Sequence, residues 1–361
     1  MSPRWGPVWF VVGGVLLVAL AVPGVLDPFR LGLLAKYLCF AIVAVGIALA
    51  WGRGGMLVFG QGVFFGLGGY AMGMHLKLAD AGPGELPDFM VWSGVERLPA
   101  VWAPFANPVF ALAMVVVAPI GLATVLGLLV FRRRVRGAYF AILSQALAAA
   151  FVILLVGQQG LTGGTNGLTN FTTYFGFQRF NPTHQRGLYL AVVAVLGLAV
   201  VLVWQLMHSR FGKLLVAIRD GEDRVRFLGY DPALVKTVAY AVAAGLAGIA
   251  GALYVPVAGL FSPALLGVVP SIMMVIMVAL GGRHSLPGAV LGAVLVNYAE
   301  TSLSETFADR WQYLLGALLV VVILWAPRGL AGLAADGWAA LRPRRPVPAV
   351  TAVETRQEVP V

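Results

Sequence analysis

Ten runs of predominantly apolar residues follow one another along this 361-residue chain, at roughly 8–26, 32–51, 57–78, 109–131, 137–157, 187–207, 236–256, 267–281, 286–300 and 311–326. Most are close to the roughly 20 residues that an α-helix needs to cross a bilayer core. A helix satisfies its own backbone polar groups there, which a loop or open sheet edge cannot do. The pattern predicts an all-α polytopic membrane protein, a bundle of about ten transmembrane helices. Two runs, 267–281 and 286–300, are short and read as tilted or half-spanning helices. Residues 1–328 read as one membrane-spanning domain, and 329–361 as a Pro- and Arg-rich tail expected to be disordered. Only 11% of the residues are charged, against roughly 25% in a soluble domain. A chain this long cannot cover a water-facing surface with so little charge.

The net charge is +10, but the cations fall in a few segments between the apolar runs rather than on one face. One group is Arg132-Arg133-Arg134-Val135-Arg136. Another is Arg210, Lys213, Arg219, Arg224, Arg226 and Lys236, followed by Arg283 and by Arg328, Arg342, Arg344 and Arg345. With ten spans, all of these lie on one side. The other side holds Asp80, Glu85, Asp88 and Glu96 against Lys77 and Arg97, then Glu305 and Asp309 against Arg310. The positive-inside rule then puts both termini in the cytoplasm. This distribution argues against nucleic-acid binding, which wants a clustered basic face. Arg4 and the Ala19-Leu20-Ala21 triplet resemble a cleavable signal, and the full-length apolar run is read as a retained first helix. Cys39 stands alone, and His75, His184, His208 and His284 show no metal-ligand spacing.

No nucleotide-binding P-loop occurs, since Gly212-Lys213 is followed by Leu214 and lacks the upstream glycine. Nothing matches a zinc-protease or serine-hydrolase motif. Charge is scarce inside the spans, where a proton-driven carrier wants a relay, and Glu300 reads as a span-boundary residue. The chain is therefore read as a transport component with no covalent chemistry, no metal and no cofactor of its own, its energy supplied from elsewhere. An integral membrane enzyme would need a catalytic constellation, and none is visible.

The segment 208–232 is amphipathic. Phe211, Leu214, Leu215 and Ile218 recur at helical spacing on one face, with Arg210, Lys213 and Arg219 mostly off it. A short helix ending near Gly221 is expected. It would either lie on the membrane surface or dock a soluble partner.

The string Ser209-Arg210-Phe211-Gly212-Lys213, then Ala217-Ile218-Arg219-Asp220, Glu222, Leu228 and Gly229, resembles the cytoplasmic coupling loop of the permeases of branched-chain amino acid ABC importers. Similar blocks cover most of the chain. They are Trp51-Gly52, Gly60-Gln61-Gly62-Val63-Phe64-Phe65-Gly66-Leu67-Gly68-Gly69-Tyr70, Arg136-Gly137-Ala138-Tyr139-Phe140-Ala141-Ile142-Leu143, Gly281-Gly282 with Pro287-Gly288-Ala289, and Ala326-Pro327-Arg328-Gly329-Leu330. Leu161-Thr162-Gly163-Gly164-Thr165-Asn166-Gly167-Leu168-Thr169-Asn170-Phe171 and Leu86-Pro87-Asp88-Phe89-Met90 resemble the urea-type members. Urea-type members often carry a histidine where this chain has Gln61, which still donates and accepts.

The resemblance implies a subunit of an importer in the bacterial inner membrane. It implies pairing with a second, homologous permease, two ATPase subunits that bind ATP and dock chiefly on 208–229, and a periplasmic binding protein that delivers solute near 79–108 and 158–186. Membrane lipid surrounds the bundle. Urea is the substrate the resemblance implies, with branched-chain amino acids or short amides as the alternative. A stand-alone channel or secondary carrier is the other rival. Gln61, Ser144, Gln145, Thr162, Thr165 and Asn166 are neutral amides and hydroxyls that suit a neutral polar solute, and equally suit interhelical hydrogen bonding or turn formation.

Overall fold

A computed structural model of the protein describes residues 26–82, 84–135, 137–179 and 181–307, with isolated positions at 13, 23–24, 310, 313–314, 316–317, 320 and 329–333. The first and last expected spans, 8–26 and 311–326, lie almost wholly outside the described residues, as does most of the expected tail. The other eight expected spans each coincide with a helix.

Helix α1 (Pro28–Ile47) runs directly into a π-helical turn, Ala48–Arg53. A non-helical stretch, 54–60, leads to α2 (Gln61–Ala81). A connection carrying the short helix α3 (Asp88–Trp92) and a 3-10 turn, Ala103–Ala106, precedes α4 (Pro108–Arg132) and α5 (Ala138–Gly157). The short α6 (Gln159–Thr162) and a hairpin of β1 (Thr173–Tyr174) and β2 (Phe177–Gln178) follow, with Thr173 opposite Gln178. Then come α7 (Pro182–His208), α8 (Arg210–Phe227), α9 (Pro232–Ala258), a 3-10 turn at Pro263–Leu266, α10 (Val268–Gly281) and α11 (Leu286–Thr306).

The helix starts are written locally. Asn107, Asn181 and Asp231 each accept a hydrogen bond from the amide two residues on, and each is followed by proline at the first helical position. The run expected from 57 begins helical structure only at Gln61. Gly55 adopts φ +67°, a left-handed conformation that favours glycine and ends the preceding helix.

Among the described residues five helices are long and apolar enough to cross a membrane: Pro28–Arg53, α4, α5, α7 and α9. They divide by burial. In its most apolar window Pro28–Arg53 is 78% buried and α9 67%, whereas α4 and α5 are 22% each, so α4 and α5 form the periphery and face lipid or a partner. Helix α2 is not among the five, because Lys77, Asp80 and its glycines dilute its hydropathy. It needs no lipid-compatible surface, since nearly every residue from Gln61 to Leu78 is buried within the protein.

Helix α2 packs on α9 backbone to backbone. A Cβ added at Gly68 would fall on the carbonyl of Gly248, and one at Gly251 on the carbonyl of Phe65. On its other side Gly248 faces Pro119 and the carbonyl of Val115 in α4. Pro119 has no amide to bond that i−4 carbonyl. Gly68, in the glycine-rich block at 60–70, thus faces Gly248 of α9. Small residues let membrane helices approach closely where no hydrophobic effect drives them together. Phe65 fills the space beyond, stacking on Phe40 at 5.5 Å and meeting Tyr254 edge-on at 5.5 Å. At the end away from α8, Lys77 pairs with Asp88 at 2.8 Å, Asp80 accepts from the amides of Thr172 and Thr173, and the Trp102 indole donates to the Leu161 carbonyl.

Gly68→Val or Gly251→Val places a branched side chain between two backbones that cannot both retreat. Each is expected to cost at least the roughly 1–3 kcal/mol of core overpacking. Gly32→Ala, where a Cβ meets nothing within 4 Å, is the neutral control. Thermal midpoints of the detergent-purified proteins check this.

Candidate coupling interface and translocation path

The corner between α7 and α8 has no room for a side chain. Ser209 is extended there, its Oγ accepts from the Gly212 amide at 3.4 Å, and a Cβ at Gly212 would press on the carbonyls of Leu206 and Met207. Beyond it the expected amphipathic helix forms. Leu215 and Ile218 are buried and Phe211 and Leu214 half-buried, while Arg210, Lys213, Ala217, Arg219 and Asp220 are exposed. Gly221 breaks the helix at φ −169°, ψ 76°, and a second helical segment, not expected from the sequence, runs over 222–227. The apolar face is covered by the protein itself, and the charged face is the exposed one.

The end of α8 is tied to the end of α1. Arg219 donates to the Gly52 carbonyl at 3.0 Å and to Asp220 at 2.9 Å, and its stem packs against Gly55. Gly52 belongs to the π-helical turn, a geometry often found at functional positions. On its other side Gly52 lies against the Arg283 carbonyl, in the turn between α10 and α11, and the Arg283 guanidinium sits 5.4 Å from the centre of the Trp51 ring. His284, next along, accepts from Arg283 at 3.2 Å. Burial and the cations Arg283, Arg219 and Arg53 hold its pKa below the ordinary histidine range, so it is neutral at pH 7. Gly52 thus joins α8, α1 and the α10–α11 turn in one set of contacts.

Glu222 anchors the second segment. It pairs with Lys236 on α9 at 2.5 Å and with Arg226 at 3.2 Å, and the Glu222 and Lys236 side chains are 8% and 11% exposed. Between α8, the α4–α5 turn and the 54–57 stretch lies a cleft of about 450 Å³, bordered by Leu57, Phe140, Ile218 and Glu222.

The expected path residues separate into two places. Gln61 and Ser144 come together at the start of α2. A Cβ at Gly60 would meet the Ser144 carbonyl, and the Ser144 Oγ accepts from the Phe59 amide at 3.3 Å. Ser271 on α10, which the sequence reading did not single out, joins them by accepting from the Gly62 amide at 3.1 Å. Gln61 is fully buried, and neither its Oε1 nor its Nε2 has a hydrogen-bond partner among the described residues. The Gln145 Oε1 is likewise unpaired. Such atoms demand a partner, which a solute in transit or water would supply. Thr162 instead donates to the Leu155 and Gln158 carbonyls and closes a turn, and Thr165 and Asn166 are exposed in the loop beyond it.

The sequence places neither of two further charged residues in the path: Lys36 is not singled out there, and Glu300 reads as a span-boundary residue. Lys36 lies inside α1 and Glu300 in α11, and both line one cavity of about 560 Å³. A lysine interrupting an apolar run is the signal that would have found the first. Among the described residues no cluster of His, Cys, Asp or Glu could hold a metal ion.

Residues 29–324 match the family described as the permease component of branched-chain amino acid transport systems. The high-affinity branched-chain amino acid transport system permease protein LivM of Salmonella typhimurium is 26% identical, over 88% of this chain and 73% of the relative. LivM of Escherichia coli K12 is 26% identical, over 88% and 74%. BraD of Pseudomonas aeruginosa, named for the same transport system, is 23% identical, over 81% and 91%. No solved structure matches the chain.

Glu222→Gln leaves Lys236 as a buried charge with a weakened partner. A loss of up to roughly 3–5 kcal/mol is expected. Joining it with Lys236→Met should recover most of the loss, and denaturation of the purified proteins tests both.

Proposed function

The chain belongs to the family of permease components of branched-chain amino acid transport systems, and from that premise we propose that it forms one membrane half of an ATP-driven importer of branched-chain amino acids. A homologous permease is the other half, two ATPases dock at the cytoplasmic face, and a periplasmic protein delivers the solute. The setting is a bacterial inner membrane, with the α8 end and both termini cytoplasmic. The chain binds no nucleotide or cofactor and performs no covalent chemistry. The observation that carries this reading is the α8 corner: a charged helix seated by its apolar face and bonded through Arg219 to the Gly52 carbonyl. A stand-alone channel has no use for such a lever.

Urea, the substrate implied by the outer-loop resemblance, finds no support among the relatives, whose names specify branched-chain amino acids. Lys36 and Glu300, which line a cavity between helices, also suit a charged solute better than a neutral one. ATP turnover in the partners would move α8, and through Gly52 the motion would reach α1, α10 and α11. Gln61, Ser144 and Gln145 would meet the solute where backbone 54–60 interrupts the helices. Thr162, Thr165 and Asn166 would stand at the outer entrance. Broken helices near the bilayer centre commonly form transport sites.

In proteoliposomes holding the whole transporter, labelled leucine is expected to accumulate only with ATP, with unlabelled isoleucine competing and urea not. Competition by urea alone would restore the urea reading, and ATP-independent flux would favour a channel. Replacing Arg219 and Asp220 together by alanine should abolish uptake without impairing membrane insertion. Normal uptake by that variant would dismiss α8 as the coupling element.

A further inference from the structure

The cavity of about 560 Å³ lies between α1, α10 and α11. Its walls are largely aliphatic and aromatic, with Phe40, Tyr254, Met273 and Ile276 among them. Two charges enter this apolar space. Lys36 projects from α1 about two turns in from its start. Glu300 projects from α11. The adjacent residues hold the helices in register, because the Tyr37 hydroxyl donates to Thr301 Oγ1 at 2.7 Å. Neither Lys36 nor Glu300 makes a hydrogen bond or ion pair among the described residues. Arg179, which borders a neighbouring pocket together with Lys36, donates to the Ala258 carbonyl at 2.8 Å.

An ionisable side chain within a membrane bundle is costly and is kept where it meets a partner or a passing ligand. Here a cation and an anion border one mostly apolar cavity of a size usual for small ligands. A neutral amide would leave both charges unmet, and a simple anion or cation would leave one. Resting on the import reading above, we propose that this cavity is a binding site for a zwitterionic α-amino acid with an apolar side chain. Lys36 receives the carboxylate, Glu300 receives the ammonium, and the walls contributed by α1, α9 and α10 receive the aliphatic side chain. The site is separate from the Gln61–Ser144–Ser271 junction and lies toward the far end of α1 from α8.

The test uses the whole transporter in proteoliposomes with labelled leucine. Lys36→Met and Glu300→Gln should each lower uptake by about tenfold or more, the effect of losing one charge-assisted contact. Lys36→Arg and Glu300→Asp should keep most of it. Uptake by both neutral variants at the unaltered rate would overturn the site while leaving leucine import standing. A second measurement needs no variant. A hydrophobic carbodiimide should modify Glu300 in the unaltered complex, and leucine delivered by the binding protein should slow that modification, as read by peptide mass spectrometry. Modification that leucine does not slow would likewise overturn the site. An unaltered complex that accumulates no leucine with ATP would overturn the import reading itself, and this site with it.

Discussion

The approach of α2 to α9 is the contact on which the rest of the bundle depends. Gly68 lies on the Gly248 carbonyl and Gly251 on the Phe65 carbonyl, so two backbones touch with no side chain between them. In lipid, apolar side chains gain little by leaving their surroundings for one another, and helix association rests on close packing. Because α2 sits this deep, α4, α5, α9 and α10 can enclose it on several sides. It can then carry Gln61, His75 and Lys77 inside a membrane protein.

That enclosure also permits the break before α2. Residues 54–60 are non-helical, yet Val58 and Gly60 are buried. Irregular backbone at this depth is tolerated only when protein or a water-filled path covers it. Side chains from other helices supply the missing partners: Ser144 receives the Phe59 amide and Ser271 the Gly62 amide. The π-helical turn at the other edge of the break presents the Gly52 carbonyl to Arg219. One interruption of regular structure thus places a polar junction inside the bundle and a mechanical link at its basic end. The two are joined by the eight residues of chain between Gly52 and Gln61.

Much of this was legible in the residues. The apolar runs gave the helices nearly to their ends, because Asn107, Asn181 and Asp231 with their following prolines mark the starts by local chemistry alone. The period of Phe211, Leu214, Leu215 and Ile218 gave the seated face of α8, and Gly221 its break. The candidate path was less legible. Thr162, Thr165 and Asn166 were grouped with Gln61 because all are neutral and polar, whereas Thr162 closes a turn and the other two stand exposed in a loop. The sequence does not single out Ser271 or Lys36 and reads Glu300 only as a span-boundary residue, since a single polar residue in an apolar run says nothing of what lies beside it.

The sequence by itself determined that this is a many-helix membrane protein, where most helices begin, and which face of α8 is apolar. Those properties follow from hydrophobic length, capping and periodicity, which act over one or a few turns of chain. Only the tertiary structure decided that α2 is interior and α5 peripheral, that Arg219 reaches back across the chain to Gly52, and that Lys36 and Glu300 border one cavity. Such juxtapositions depend on which helix meets which and at what rotation. Glycine contacts and single hydrogen bonds between residues far apart in the chain set that geometry, and no local pattern encodes it.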